Sequence, residues 1–475
     1  MKKSLFESHC PEYHFSFSPH GVERRVPSFP GGEHDFYGQE YFSEYGKIAG
    51  ALASRLHPRI ADWIEIATAI YLADRFSPRR DLCFRKSLDH RRRIISLRLP
   101  VSDQKFWKSS ETQALLRDAL WALTEDDWQF QFVKRNEALS ACSQDYLIPE
   151  KIDGEIRVAL FSGGLDSFAG AASQVQIPGT ANVFVSGVTH GRMEVGQSLQ
   201  IKHLKNHSRA DIRHIPICYG LKEKAASGSL LERSQRSRAF VHITLGAALA
   251  IHMGSYSLFM YENGYGALNL PFDNTQIGIE TSKACNPIFH RRMEKFVEAL
   301  SGKPFTIENP FLFLTKAQAL QQSGVGKFGR CLSETFSCDR FPDWREGRPQ
   351  CGTCPSCILR RFSMEAADLA RFDTGDAYAR DVKSNSFTPN HSAANVLSHY
   401  EEQAITFDKA LAKQNPWTEL ATDFPELYEI ENALNPGGKR WQEVRNDLML
   451  LLRKQVSEWR SFSGRACLDR YLEAA

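Results

Sequence analysis

A short apolar run that ends in two glycines constrains the fold of this chain more than any other part of its sequence. Residues 158–161 read Val-Ala-Leu-Phe, and they are followed directly by Ser162-Gly163-Gly164-Leu165-Asp166-Ser167. The apolar run predicts a buried strand, and the glycines allow the backbone to turn sharply into a helix. Backbone N–H groups at such a turn converge on an anion at the helix N-terminus. The string therefore predicts a phosphate-binding loop.

The side chains of this loop also suit phosphate chemistry. The hydroxyls of Ser162 and Ser167 can donate hydrogen bonds, and the carboxylate of Asp166 can help to hold Mg²⁺ on the phosphates. The structural alternative is a tight turn in which Asp166 or Ser167 caps the helix. The loop lacks the lysine of a GxxxxGK[ST] motif, which argues against a Walker-type NTPase.

The chain around the loop alternates between short apolar runs and helical segments. The strand candidates are 156–161, 182–188, 212–217 and 258–261, and the helix candidates are 166–174, 197–206 and 237–253. Alternation at this spacing predicts an α/β fold in which a parallel sheet carries helices on its faces.

We expect two further regions beside this core. A mixed α+β N-terminal domain spans 1–150, the loop-bearing domain spans 151–365, and a helical region spans 366–475. Residues 1–45 are rich in glycine, proline, histidine and aromatics, and they predict an irregular arm on the surface. Apolar residues recur at helical spacing between 441 and 459, which predicts a helix packed in a core, with a partner groove as the alternative.

A basic stretch over residues 79–98 has Arg91, Arg92 and Arg93 at its centre. We interpret it as a solvated strand end, and a phosphate groove is the alternative. The formal net charge of the chain is only +3, from 59 basic and 56 acidic residues. Such a balance does not favour a general binder of polyanions.

Four of the eleven cysteines lie close together, at Cys338, Cys351, Cys354 and Cys357. The sequence contains neither an apolar run of about 18 residues nor a secretory signal, so we expect a cytoplasmic protein whose thiols stay reduced. Four thiolates with two Cys-x-x-Cys steps suit a tetrahedral, structural Zn²⁺. An iron–sulfur cluster also takes four cysteines and is the alternative.

The loop and the cysteines together resemble a known enzyme family. The loop matches the SGGxDS motif of the PP-loop, or N-type, ATP pyrophosphatases. The cysteines, with Arg360 after them, match the Cys-xn-CGxCxxCxxR cluster of the 7-cyano-7-deazaguanine synthase (QueC) family. The resemblance covers residues 155–365 and implies a fold like that of the adenine nucleotide alpha hydrolases. It also implies ATP, Mg²⁺ and a structural Zn²⁺, and conversion of the carboxylate of 7-carboxy-7-deazaguanine into an amide and then a nitrile.

The resemblance also implies which residues form the site. The loop would bind ATP through Phe161, Ser162, Gly163, Gly164, Leu165, Asp166 and Ser167. Arg236 and Lys316 would contact ATP as well, and Lys316 belongs to a segment, 309–317, that resembles the proline-to-lysine segment of the family. Catalysis would depend on Asp166, Ser162 and Arg238, with Lys283 as another basic candidate.

The chain departs from that family in one internal segment and at both ends. Where the family has a YPDCR-like segment after the fourth strand, this chain reads Tyr261-Glu262-Asn263-Gly264-Tyr265, without Asp-Cys-Arg. This departure argues against nitrile formation. The longer ends resemble QueC-like proteins of bacterial anti-phage systems, of the QatC and CBASS-associated type. That resemblance implies ATP-dependent coupling of a deazaguanine-like carboxylate to an amine, including an amine on a partner protein.

Two other functions fit the same residues. A PP-loop tRNA-modifying ligase or thiolase would place the basic stretch against RNA and would need a catalytic cysteine near ATP, for which Cys285 is the candidate. A non-catalytic, zinc-stabilised scaffold of a defence complex would carry the loop as a vestige. The intact loop favours an enzyme that forms a C–N bond and converts ATP to AMP and pyrophosphate.

Overall fold

The computed structural model describes most of the chain between residues 12 and 465. The described ranges are 12–18, 21–25, 34–37, 41–44, 46–50, 55–79, 92–136, 154–221, 231–232, 234–271, 283–341, 347–384, 386–388, 390–435, 437–438 and 440–465. All structural statements below concern these residues.

The strands of the described residues form two sheets. The strands are β1 (Glu12–Ser18), β2 (Gly21–Arg25), β3 (His34–Tyr37), β4 (Tyr41–Ser43), β5 (Ile94–Val101), β6 (Asp127–Lys134), β7 (Glu155–Leu160), β8 (Thr180–Val188), β9 (Asp211–Leu221), β10 (Ser257–Phe259) and β11 (Thr306–Glu308). The first sheet has the order β3-β2-β1-β5-β6, and the second has the order β11-β10-β7-β8-β9-β4.

Helices cover these sheets and make up the C-terminal region. The α-helices are α1 (Gly46–Gly50), α2 (Pro58–Arg75), α3 (Gln104–Trp107), α4 (Ser110–Thr124), α5 (Leu165–Gln174), α6 (Gly191–His207), α7 (Arg238–His252), α8 (Gly264–Leu268), α9 (Pro287–Ser301), α10 (Lys316–Gln322), α11 (Pro355–Ala366), α12 (His391–Leu411), α13 (Pro416–Asp423), α14 (Glu426–Leu434) and α15 (Trp441–Arg465). Short 3₁₀ segments lie at Lys283–Cys285, Val325–Leu332, Ala370–Phe372 and Gly375–Ala377.

The second sheet confirms the predicted α/β fold. Its five strands from β11 to β9 are all parallel. β8 is buried along almost its whole length, because helices cover both faces of the sheet. The chain moves from β7 to β8 and β9 on one side, and then returns to β10 and β11 on the other side. The strand order therefore reverses between β7 and β10, which is where α/β sheets form a crevice at the carboxyl ends of their strands.

The N-terminal residues contribute strands to both sheets, so the predicted irregular arm is wrong where the structure describes it. β1 lies inside the first sheet, parallel to β5, and its side chains Tyr13, Phe15 and Phe17 are buried. These aromatics alternate with polar residues, which is the period of a half-buried strand. β4 pairs antiparallel with β9 and forms the edge of the second sheet. The alternation was present in the sequence, but pairing with β9 left no local signal.

One buried ion network joins the N-terminal region to the second sheet and corrects our interpretation of the basic stretch. Residues 80–91 of that stretch lie outside the described residues. Arg93 is fully buried, and its guanidinium bonds to Asp74 at 2.6 Å and to Asp126 at 3.0 Å. Asp74 also accepts hydrogen bonds from the backbone and hydroxyl of Ser237, which directly precedes α7. Arg93 is therefore a structural cation and not a solvated strand end.

The hydrophobic core continues across the predicted boundary near residue 150. α7 packs between α2 and the second sheet, and a single cluster of buried side chains runs from β1 to β11. A second cluster holds the C-terminal helices together and includes Phe362 of α11. In α15 the predicted apolar stripe is buried from Val444 to Trp459, whereas Trp441 is 46% exposed. The boundaries at 150 and 365 stay predictions. No helix within the described ranges is long and apolar enough to cross a membrane.

Replacement of Arg93 by leucine is expected to destabilise the protein by about 3–5 kcal/mol, because it leaves Asp74 and Asp126 buried without their cation. Arg98 on β5 offers a matched control, since its side chain is exposed. Arg98→Leu should change the free energy of unfolding by less than about 0.5 kcal/mol. Urea unfolding of both variants measures the difference, and equal effects would contradict the structural role of Arg93.

Candidate active site and cysteine cluster

The predicted phosphate loop lies between β7 and α5, at the point where the strand order of the sheet reverses. Gly163 has a φ of +84°, a conformation that favours glycine, and Gly164 is the N-cap residue of α5. The N–H of Gly163 donates to the Ser167 hydroxyl at 3.1 Å, and the N–H of Gly164 donates to the Ser162 hydroxyl at 3.2 Å. The two serines of the motif therefore hold the turn in shape.

The carbonyl groups of the loop are all engaged by the protein. Two glutamines of α6 provide two of these bonds: Gln197 donates to the carbonyl of Ser162 and Gln200 to that of Gly163, both at 3.0 Å. The Ser186 hydroxyl donates to the carbonyl of Phe161 at 2.6 Å. Because the carbonyls are bound on the protein side, they are kept away from an anion that approaches the N–H groups. The sequence did not indicate these two glutamines, since α6 is distant along the chain.

The predicted loop residues differ in what they can offer to ATP. The Phe161 and Leu165 side chains are buried in the core, so these two residues can contribute only backbone groups. Ser162 is exposed, whereas Asp166 and Ser167 are each 6% exposed. A hydroxyl at the surface of the loop and a carboxylate behind it are thus available together.

Behind the loop lies a buried cluster of charged and polar side chains. Lys316 is 5% exposed and its ammonium forms an ion pair with Oδ2 of Asp166. The amide of Asn263 donates to the same oxygen at 3.2 Å and to Oε1 of Glu262 at 2.7 Å. The other oxygen of Asp166, Oδ1, is buried and receives no hydrogen bond from the described residues. A buried carboxylate oxygen without a donor is available to a cation, which fits the Mg²⁺ predicted at Asp166.

Glu262 was missed as a site residue by the sequence analysis. Burial raises the pKa of Glu262 well above its usual range, and the charge of Asp166 raises it further, whereas Lys316 opposes the shift. The raised pKa favours the protonated form of Glu262 beside Asp166. Glu262 and Asn263 follow β10, the neighbour of β7, so the carboxyl ends of the two strands bring them to Asp166. The useful signal was a polar pair placed directly after a buried strand.

Lys316 owes its position to the start of α10. Thr315 caps this helix in a capping box with Gln318, and Lys316 is the first residue of the helix. The Thr315 hydroxyl also donates to Oε1 of Glu458 on α15 at 2.8 Å. Burial raises the pKa of Glu458 to about 7, while the bond from Thr315 opposes the shift. The C-terminal helices thus support the residue that brings Lys316 to the loop.

The other predicted basic residues lie elsewhere. Arg236 donates to the carbonyl of Thr124 at 3.5 Å, and Lys283 pairs with Glu125 at 2.5 Å, so both face the N-terminal region. Arg238 is exposed at the first residue of α7, and its charge lowers the pKa of the nearby Tyr219, whose burial raises it. The roles predicted for Arg236 and Arg238 in ATP binding and catalysis stay predictions.

Cys285, the candidate nucleophile of the thiolase alternative, lies close to the buried cluster. Burial raises the pKa of its thiol well above the usual range, and the charges of Glu262 and Asp166 add to this shift. A thiol in this environment stays protonated, whereas sulfur transfer requires a thiolate. The site therefore does not favour the thiolase alternative.

The four predicted metal ligands come together in one cluster. The sulfur atoms of Cys338, Cys351, Cys354 and Cys357 all lie within 4.8 Å of one another. The Cys351–Cys357 and Cys338–Cys354 sulfur pairs are each 3.9 Å apart. A tetrahedral ion with Zn–S bonds of about 2.3 Å requires sulfurs about 3.8 Å apart. An iron–sulfur cluster would need its thiolates farther apart, because it spans several metal atoms.

The surroundings of the cluster also favour thiolates. The backbone N–H groups of Thr353 and Cys354 point to the sulfur of Cys351, at 3.5 and 3.3 Å. Cys354 is the N-cap residue of α11, and Cys357 lies in its first turn, where the helix dipole stabilises negative charge. The donor set and the spacing fit a single zinc ion.

Comparisons with known proteins agree with this geometry. Residues 256–368 match the model of a family described as "Queuosine biosynthesis protein QueC". The chain is 28% identical over 221 residues to 7-cyano-7-deazaguanine synthase 2 of Desulfitobacterium hafniense (strain Y51). The aligned residues make up 45% of this chain and 89% of that protein. It is 25% identical over 245 residues to the 7-cyano-7-deazaguanine synthase of Polynucleobacter asymbioticus. These aligned residues make up 49% of this chain and 96% of that protein. About half of the chain is therefore similar to these two synthases.

Replacement of Cys354 by serine is expected to release the metal and to lower the yield of soluble protein sharply, because much of the metal-binding energy acts as folding energy. Cys331→Ser is the matched control, since Cys331 is equally buried but lies outside the cluster. Metal analysis should find one zinc per chain in the wild type and in the control. Iron in the wild type, or a full zinc content in Cys354→Ser, would contradict the assignment.

Replacement of Glu458 by glutamine is expected to remove a pH dependence of stability. The pKa of Glu458 is raised to about 7 in the folded protein. As the pH rises, Glu458 therefore loses its proton in the unfolded chain before it does so in the folded protein, and this favours unfolding. Between pH 5 and pH 8 this loss amounts to up to about 3 kcal/mol. Urea unfolding at both pH values should show that the free energy of unfolding falls less between pH 5 and pH 8 in Glu458→Gln than in the wild type. An equal fall in the two proteins would contradict the expectation.

Proposed function

We propose that this protein is an ATP-dependent synthase that activates the carboxylate of a 7-deazaguanine-type substrate as an adenylate and transfers the acyl group to an amine. The observation that carries the proposal is the buried cluster of Asp166, Lys316, Asn263 and Glu262, which lies directly behind an ordered phosphate loop. The similarity to two 7-cyano-7-deazaguanine synthases supports the class of substrate.

The reaction needs ATP because a carboxylate oxygen is a poor leaving group. In the first step a carboxylate oxygen attacks the α-phosphorus of ATP, a new O–P bond forms, and pyrophosphate leaves. In the second step the amine attacks the acyl carbon, a C–N bond forms, AMP leaves and the amine loses a proton. The protein has mainly to place the carboxylate in line with the α-phosphate and to stabilise the charge that develops there.

The loop is suited to hold the pyrophosphate portion of ATP. Its N–H groups and the Ser162 hydroxyl lie at the N-terminus of α5, and its carbonyls are bound away from the ligand by Gln197 and Gln200. The two N–H groups bond to the hydroxyls of Ser167 and Ser162, so these bonds have to be exchanged for bonds to phosphate oxygens when ATP binds. The bonds that Gln197 and Gln200 make to the loop carbonyls can stay in place during this exchange, and a loop that is already ordered lowers the entropy that binding costs.

Lys316 and Asp166 provide the charges next to the loop. Lys316 neutralises Asp166 within the buried cluster and supplies positive charge to the phosphates. The Oδ1 atom of Asp166 is the group that would hold Mg²⁺, which when bound shields the charges of the phosphates. The raised pKa of Glu262 disfavours a second negative charge in this small space.

The alternatives are less well supported by the described residues. Arg93 of the basic stretch is buried in an ion network, and the thiol of Cys285 stays protonated. Both observations argue against the tRNA thiolase. An inactive scaffold would not require the bonds that hold the loop carbonyls. The protein acceptor and the place in an anti-phage system follow from the resemblance of the whole chain, and both are part of the proposal.

The double replacement Asp166→Asn with Lys316→Met is expected to lower pyrophosphate release by at least about 100-fold, since it removes the charges that act on the phosphates. Because it removes both members of a buried ion pair, it should leave the fold intact, whereas Lys316→Met alone should destabilise. The measurement is AMP and pyrophosphate formed from ATP, 7-carboxy-7-deazaguanine and ammonia, with circular dichroism as the test of folding.

Lys327→Met serves as the control for this experiment, because Lys327 is exposed and lies eleven positions beyond Lys316 on a separate segment. It should form AMP at the wild-type rate. Wild-type activity in the folded double variant would overturn the proposed role of the cluster. Loss of the fold in Asp166→Asn alone would instead favour the structural interpretation of the turn.

A further inference from the structure

The cysteine cluster and the phosphate loop are joined by one short segment, residues 334–338. We propose that this segment makes Phe336 a positioning residue for the loop, so that metal in the cysteine cluster and ATP in the loop strengthen the binding of each other. The inference rests on the proposed function only in that the loop binds ATP.

Phe336 occupies the space next to the first glycine of the motif. A Cβ atom built on Gly163 would lie 2.5 Å from the Phe336 ring, and one built on Gly196 of α6 would lie 2.8 Å from it. The N–H of Phe336 also donates to the carbonyl of Gly163 at 3.3 Å. Gly163 therefore has two reasons to be glycine, its positive φ and the close approach of this ring.

A second contact ties the same segment to the loop. The side-chain amide of Gln200 donates to the carbonyl of Gly163 at 3.0 Å and to that of Glu334 at 3.4 Å. One buried side chain thus bridges the loop and the segment that leads to the cysteines. A shift of the segment would disturb both bonds, and with them the carbonyl that must face away from the phosphates.

The other side of the segment is held by residues next to the metal ligands. Gln350, which directly precedes Cys351, donates to the carbonyl of Thr335 at 2.9 Å and accepts from the N–H of Ser337 at 3.4 Å. These two bonds flank Phe336. Arg360, one turn after Cys357 on α11, is fully buried and donates to the hydroxyl of Thr335 at 2.7 Å.

The ring of Phe336 is itself fixed from the cysteine side. It stacks on Phe341 with ring centroids 4.2 Å apart and an angle of 7° between the planes. The N–H of Phe341 donates to the carbonyl of Cys338 at 3.0 Å. The first cysteine ligand, the stacked ring pair and the phosphate loop therefore form a continuous chain of contacts.

The energetic consequence follows from linkage. If bound metal fixes the segment and the fixed segment keeps the loop in its binding geometry, each ligand lowers the cost of ordering for the other. The coupling must be equal in both directions, because it is a property of the binding free energies. Phe336 is 9% exposed and contacts Gly163, Gly196 and Phe341, so in this proposal it acts through Gly163.

The test measures the coupling in the whole, zinc-loaded chain. The first readout is the dissociation constant of α,β-methylene-ATP with excess Mg²⁺, by calorimetry. The second is the dissociation constant of zinc, from equilibrium competition with a chromogenic chelator, with and without that nucleotide. Phe336→Leu is compared with Phe424→Leu, a control in the C-terminal helices where a similarly buried ring, 6% exposed, packs against Phe407.

In the wild type and in Phe424→Leu, saturating nucleotide should lower the dissociation constant of zinc about tenfold, a common strength of coupling between sites. In Phe336→Leu the nucleotide should bind about tenfold more weakly and should no longer change the dissociation constant of zinc, while the zinc content stays at one per chain. Equal nucleotide affinity in the two variants, or a zinc affinity of the wild type that is the same with and without the nucleotide, would overturn the inference.

The outcomes also separate this inference from the proposed function. A coupled protein that forms no AMP from any deazaguanine carboxylate would overturn the proposed function and leave the coupling in place. A wild type that makes AMP but shows no coupling would overturn only the inference. A wild type that does not bind the nucleotide would overturn both.

Discussion

The ion pair between Lys316 and Asp166 is the interaction on which the candidate site depends. It joins the first turn of α5, which carries the phosphate loop, to the first turn of α10, and both side chains are almost completely buried. A buried carboxylate is costly unless a cation is close, so the pair also fixes the distance between the two helices. Through the Thr315 cap and Glu458, the same contact extends to α15. The phosphate loop, the start of α10 and the C-terminal helix α15 are thus connected by one series of contacts.

The topology of the sheet explains why these groups meet. Asp166 follows β7, and Glu262 and Asn263 follow β10, which pairs with β7 in parallel. The chain departs in opposite directions from these two strands, and this leaves an opening at their carboxyl ends. The similarity to the deazaguanine synthases covers about half of the chain. The N-terminal sheet and the C-terminal helices pack against the α/β core, and neither supplies a residue of the buried cluster.

Local patterns in the sequence were enough to predict the core of the fold and part of the site. The strand–glycine–helix string predicted a turn between a buried strand and a helix, which the structure confirms, and its binding of phosphate stays a prediction. The spacing of the cysteines predicted a cluster that the structure confirms as compact. What the sequence could not reveal depended on contacts between distant segments. Glu262 belongs to no recognised motif. The sequence does not show that Arg93 pairs with Asp74 and Asp126, so Arg93 could not be distinguished from the other arginines of the basic stretch. The spacing of apolar residues predicts which helices and strands form, but it does not identify the segments that pack against them.

The small strand β4 has a consequence for how this chain can be divided. Its backbone pairs with the end of β9, from Tyr219 to Leu221, and covers part of an edge that would otherwise present free N–H and carbonyl groups. Exposed edges of this kind recruit strands from other molecules and promote aggregation. A fragment limited to residues 155–365 would lack β4 and α2, and it would therefore expose this edge together with the apolar surface where α7 packs on α2. The N-terminal region thus covers surfaces of the second sheet and of α7 that would otherwise be open to other molecules.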